Sequence, residues 1–172
     1  MLAGYRVLEV LYRVGPREEV DPQNAKWKSI LVEVGKDQFR EIFHLQALYY
    51  TDPLSSSRIV QSGAEQVLVT MDSVGGNGGA CWEAYWWFDR AGPHGLDFSR
   101  LNAAMGKGVP ANTTFLMSCS VLNLETQEVN TWAQKSDAKC HACDFVGTLT
   151  VRFRLDGSTV VPVEVRFQPG NP

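Results

Sequence analysis

The residues best equipped for chemistry sit together in Lys139-Cys140-His141-Ala142-Cys143-Asp144. Two thiolates with two residues between them can grip one zinc ion, because the intervening turn sets the sulfurs at tetrahedral spacing. A structural zinc needs two further ligands. The chain has no second CxxC and no HxxxH, so Cys81, Cys119, His44 or His141 would have to supply them from other strands. The same spacing suits a redox dithiol whose first cysteine is activated by a helix N-terminus, yet the segment that follows, Phe145 to Leu155, alternates as a strand. The plainest reading is a structural pair, either a disulfide or two thiols, that pins the loop ahead of that strand. The sequence favours this over zinc held by Cys140, Cys143, His141, Cys119 and Cys81.

The second concentration is aromatic. Cys81 to Phe88 reads Cys-Trp-Glu-Ala-Tyr-Trp-Trp-Phe and holds three of the five tryptophans. On a strand, Trp82, Ala84, Trp86 and Phe88 share one face, while Glu83, Tyr85 and Trp87 share the other. One row can fill a core. The other must meet a covering helix, a ligand pocket or a subunit interface. Tyr and Trp are suited to recognition because they offer large rigid area with a polar handle. Trp82, Tyr85, Trp86, Trp87 and Phe88 are therefore the candidate binding residues.

Catalytic motifs are scarce. The histidines are His44, His94 and His141, and no GxSxG, HExxH or paired-carboxylate motif occurs. Glu83, Asp89 and His94 are close enough in sequence to gather at one end of the aromatic strand. The glycine run Gly75 to Gly79 lacks a following Lys-Ser or Lys-Thr and leads into a strand, so it reads as a hairpin connection and not a phosphate cradle.

Period-two alternation dominates the elements that must position these groups. Leu149, Val151, Phe153 and Leu155 alternate with Thr150, Arg152 and Arg154. After Asp156-Gly157-Ser158, Val161, Val163, Val165 and Phe167 alternate with Pro162, Glu164 and Arg166. This predicts a hairpin with an apolar inner face. Pro162 cannot donate to a ladder, so the last strand belongs at an edge or carries a bulge there. Ile30, Val32 and Val34 form another strand, turned by Gly35-Lys36-Asp37 into Phe39, Phe43, Leu45, Ala47 and Tyr49. Ile42 falls on the wrong face of that second strand, which leaves a helix over 38–50 as a competitor. Val67 to Met71, Phe115 to Val121 and Glu128 to Trp132 are further strands, and Val7 to Val14 is strand or helix. One segment reads as a helix, with Asp97 as its cap, Phe98, Leu101 and Met105 on one side, and Gly106 at its end.

The 172 residues are 44% apolar and 20% charged, which excludes a disordered chain. No stretch approaches the ~20 apolar residues of a spanning helix. A net charge of −3 argues against nucleic-acid backbone binding. Arg6, Glu9 and Arg13 interrupt the apolar run an export signal would need, so the chain reads as cytoplasmic as written. The alternative is an exported mature domain that has lost its signal peptide. Four cysteines are too few for a disulfide scaffold.

The expectation is a single mainly β domain over 1–172, an antiparallel sandwich or barrel of about eight strands with one or two short helices, with α+β as the alternative. Its expected role is non-enzymatic binding of a protein partner or small ligand, or self-association, through the aromatic strand. A small enzyme or zinc protein built on Cys140, His141 and Cys143 is one alternative. A structural subunit of a larger assembly is the other.

Overall fold

The computed structural model describes residues 4–12, 26–47, 57–74, 80–115, 122–140 and 143–170. Side chains at several strand ends, those of Cys81 and Trp82 among them, lie outside the described set, as do Cys119, His141 and the 75–79 loop. The chain divides into two compact units: Met1–Val60 with Gln66–Gly95, and Gln61–Glu65 with Leu96–Pro172. The described residues form twelve strands and one helix in three antiparallel sheets. The mainly β expectation therefore holds, with three sheets where one sandwich or barrel of about eight strands was expected.

The first sheet has the order β1 (Val7–Tyr12), β2 (Lys26–Gly35), β3 (Gln38–Ala47). Val7 to Tyr12 is strand throughout, and the rest of the strand-or-helix segment, 13–14, lies outside the described residues. Of the helix alternative over 38–50, residues 38–47 are strand β3, and 48–50 lie outside the described residues. Asp37 takes φ 56° in the turn, a conformation Asp tolerates in tight turns. The misplaced Ile42 has a geometric cause. Ile30 pairs with Phe43 and Leu31 pairs with Glu41, so Ile42 is the extra residue of a β-bulge. Both Ile42 and Phe43 thereby pack on the same core.

The second sheet has the order β4 (Arg58–Ser62), β5 (Glu65–Val74), β6 (Ala80–Asp89), β7 (Gly92–Gly95). Val74 pairs with Ala80 across the 75–79 connection, as a hairpin requires. The core of the first unit joins Ile30 and Val32 of β2 to Leu68 of β5 and to Trp86 and Phe88 of β6. Its rings pack by their edges. Phe43 meets Trp86 at 5.4 Å and 75°, and Tyr5 meets Phe88 at 5.8 Å.

The second unit carries the sheet β12 (Thr159–Pro169), β11 (Phe145–Asp156), β10 (Glu128–Lys135), β8 (Thr113–Phe115), with β9 (Leu122–Asn123) also on β10. Leu149, Val151, Phe153 and Leu155 all point inward and are buried. Helix α1 (Ser99–Lys107) packs against β12 and β11 and buries Leu101 and Met105. The Asp97 carboxylate accepts a hydrogen bond from the Ser99 N–H at 2.9 Å, although Phe98 occupies the N-cap position. The helix ends at Gly108 and not at Gly106. A Cβ at Gly108 would collide with the Val165 side chain, so close packing explains the glycine there.

The last hairpin turns at Gly157, whose φ of 58° sits at the first of two turn residues, where a hairpin turn favours glycine. Strand β12 is an edge strand with a register shift opposite Arg152 and Phe153, as Pro162 required. The shift corrects one expectation. Phe153 pairs with Pro162 and Arg152 with Glu164, so Val163 is the extra residue and is 63% exposed instead of facing the core. Ahead of it Val160 and Pro162, not Val161, lie opposite the inward Leu155 and Phe153.

Candidate functional site

Strand β6 places its two aromatic rows differently. Trp86 and Phe88 belong to the first unit's core, at 8% and 6% exposure. Tyr85 and Trp87 lie on the opposite face and are only partly buried. Their neighbours across the ladder on β5, Val69 and Val67, are buried. This outer row is the part of the aromatic strand with polar company.

The short β6–β7 hairpin puts His94 directly opposite Trp87, with ring centroids 5.6 Å apart. His94 Nε2 lies 2.9 Å from Asp89 Oδ1. That oxygen also accepts hydrogen bonds from the Ala91 N–H at 2.7 Å and the Gly92 N–H at 3.2 Å. The His94 hydrogen bond and the two backbone donors hold the Asp89 carboxyl below its ordinary range, against a smaller opposing effect of desolvation. Two residues along the same face of β6, the Tyr85 hydroxyl donates to Glu83 Oε2. Burial, and then the adjacent Glu83 carboxylate, push the Tyr85 phenol well above the usual tyrosine range. Of the three acid–base candidates on this segment, Asp89 and His94 are thus brought together, while Glu83 pairs with Tyr85.

A second cluster was not anticipated from the sequence. Ser29 of β2 pairs in register with His44 of β3, and the bulge swings Glu41 onto the same face. Ser29 Oγ donates to Glu41 Oε1 at 2.6 Å, and His44 Nδ1 lies 2.9 Å from that oxygen and 3.1 Å from Ser29 Oγ. The Ser29 hydroxyl, followed by His44, lowers the Glu41 pKa. The composition invites comparison with a hydrolytic triad, but the wiring differs. A triad hands the serine proton to one imidazole nitrogen while the acid holds the other nitrogen. Here the serine proton goes to the carboxylate, one ring nitrogen faces both partners, and Ser29 is buried. The signal for this cluster was present in the Gly35-Lys36-Asp37 turn, because folding the hairpin about it sets Ser29 against His44.

Cys140 and Cys143 form a disulfide with Cα atoms 5.5 Å apart, the structural reading of the CxxC. Around it, the Lys135 N–H donates to the Asp144 carbonyl and the Ser136 N–H to the Asn112 carbonyl. Among the described residues no group of three or more His, Cys, Asp or Glu side chains is placed to hold a metal. No described helix is long and apolar enough to cross a membrane. No protein-family model, curated protein or solved structure matches this chain.

Proposed function

We propose that this chain is a non-enzymatic binding domain whose recognition surface is the outer row of β6, Tyr85 and Trp87, extended by His94 and Asp89. One observation carries the reading: the Trp87 ring lies beside an imidazole that is fixed by a carboxylate, itself tied to two backbone N–H groups. Groups ordered before a partner arrives lose little side-chain freedom on binding, which is how preorganised sites gain affinity. An indole next to carboxylates suits a planar or cationic group on a small ligand or a protein partner. The Ser29 cluster, with its serine proton directed at Glu41, favours binding over nucleophilic catalysis. The zinc alternative needs thiolates, and a Cys140–Cys143 disulfide offers none. That disulfide also favours an oxidising compartment, and so the exported alternative over the cytoplasm.

The test is Trp87→Ala beside His94→Ala. Thermal-shift titration with small aromatic and cationic compounds would be run in parallel with native mass spectrometry for subunit number. A ligand response or self-association weakened about tenfold, with folding retained, supports the surface. Unchanged association together with a stability loss near the ~3–5 kcal/mol of a core aromatic deletion would make Trp87 a packing residue.

A further inference from the structure

The outward face of β10, β11 and β12 belongs to neither the aromatic strand nor the Ser29 cluster. Register defines it as a grid of nine side chains in three rows across the strands. Trp132, Thr148 and Gln168 form one row, Asn130, Thr150 and Arg166 the next, and Glu128, Arg152 and Glu164 the third. The opposite face of the same strands is the buried one, so this face looks outward. From ordinary strand spacing and rise, the grid measures ~10 Å by ~14 Å, enough for a short run of sugar rings.

Trp132 is the anomaly in this grid. Its row mates on β11 and β12 are polar, and it is 45% exposed. Its ring meets that of Phe145, whose plane stands at 86° to it with centroids 4.8 Å apart. Phe145 begins β11 two residues after Cys143, so the disulfide-closed loop fixes the residue that steadies the indole. The charges on the grid cancel among themselves. Arg152 lies 3.9 Å from Glu128 and 3.8 Å from Glu164, and Arg166 lies 2.7 Å from Glu164. Thr150 donates to Asn130 at 2.8 Å. The result is a rigid aromatic plate beside hydroxyl and amide groups, on a face with no net charge to recruit an ion.

That chemistry matches a neutral sugar, which offers an apolar C–H face for stacking on an aromatic ring and a rim of hydroxyls for amide, hydroxyl and guanidinium groups. A phosphate or polyanion would need cations that are not already paired, and a strongly basic partner would need spare carboxylates. We propose that this face binds a neutral hexose oligosaccharide, with Trp132 as the stacking platform and Thr148, Gln168, Asn130 and Arg166 meeting its hydroxyls. Trp132 and Trp87 belong to different units, and the two readings stand or fall independently.

Isothermal titration with oligosaccharides cut from a β-glucan, a galactomannan, a xylan and starch tests the assignment. At least one should bind, and Trp132→Ala should weaken it at least about tenfold. Gln168→Ala should weaken it less, and Trp87→Ala should leave it unchanged. Raising the salt from about 0.05 to about 0.5 M should change the affinity less than about twofold, because screening acts on net charge. Circular dichroism of Trp132→Ala should match the parent, and its melting midpoint should fall only modestly, since the change removes the Phe145 ring contact and no buried core residue. Binding of none of the four, binding that ignores Trp132→Ala, or binding abolished by salt would overturn the proposal. So would a native mass spectrum in which the parent is a dimer and Trp132→Ala a monomer, which would give the face to a second copy.

Discussion

Strands β2 and β11 each bury one face, and they do it with different chemistry. Strand β11 turns Leu149, Val151, Phe153 and Leu155 inward, and nothing polar interrupts the series. Strand β2 turns Lys28, Ile30 and Val32 inward, and the Lys28 side chain is fully buried. Its ammonium lies 2.9 Å from Glu9 Oε1 on β1, and Glu9 in turn accepts hydrogen bonds from the Ser57 N–H and hydroxyl. Thr70 of β5 adds another buried polar group to the first unit. An apolar face such as that of β11 tolerates small errors of chemistry. A face containing a desolvated ion pair depends on both partners being present. The first unit therefore rests on a buried charge and its partner, whereas the buried polar groups of the second unit, Thr131 and Gln134 among them, are uncharged.

The strongest way to break this contrast is at Glu9. Glu9→Ala should lower the stability of the first unit by up to about 3 kcal/mol, because it removes one partner of an ion pair whose ammonium is fully buried. The double replacement Lys28→Met with Glu9→Leu should recover most of that loss, since well-packed apolar residues can replace a buried pair at little or no cost. Urea unfolding followed residue by residue through hydrogen exchange checks both. A Glu9→Ala protein as stable as the parent would show that the pair is dispensable. A smaller effect is expected at Thr70, whose Oγ1 is buried with no hydrogen-bond partner among the described residues. Thr70→Val keeps the shape and removes the unsatisfied group, so it should stabilise by about 1 kcal/mol, read as a rise in melting midpoint.

Acid should separate the units by smaller steps. Hydrogen bonds hold Glu41, Asp89 and Asp97 below their ordinary pKa range. A carboxylate with a lowered folded pKa contributes stability that is complete above its unfolded value, near 4, and is lost as pH falls through the folded value. Two of the three, Glu41 and Asp89, lie in the first unit. Exchange protection there should decline first as pH drops below about 4. Asp89→Asn should flatten the decline, and equal loss in both units would argue against the contrast.

The same contrast explains how much of the molecule was legible from residue order. Where one face meets solvent, as in β11 and the second half of β12, alternation gives strand, face and turn together. Its failures, Val161 and Val163, come from one bulge at Val163 that inserts a residue and shifts the register, so that Val160 faces the core in place of Val161. Ile42 failed to fit its strand for the same physical reason. Lys28 could not be recognised as buried, because a lysine in an alternating strand normally marks the wet face, and its partner Glu9 lies on another strand. The aromatic strand was legible as a strand with two occupied faces, and the Asp89–His94 approach was foreseeable from a hairpin so short. The Ser29 cluster required combining a turn, a register and a bulge, and only the first of these was evident in the residues. Asp97 was recognisable as a helix-start residue because its short acceptor side chain suits free backbone donors, while Gly106 and Gly108 compete equally for the helix end until packing against Val165 decides.

The free edge of β12 has a consequence for how the protein behaves when concentrated. An exposed strand edge is a template onto which another chain can add, and such addition leads to fibrils. Here the start of that edge is already occupied: the Asp97 N–H donates to the Ser158 carbonyl and the Val160 N–H donates to the Asp97 carbonyl. Just beyond, Pro162 has no N–H to offer and the bulge at Val163 throws the ladder out of step. An incoming strand therefore meets a blocked, then donor-poor, then misaligned edge within a few residues. The irregularity of the valine-rich carboxy-terminal hairpin thus works against strand addition at its own edge.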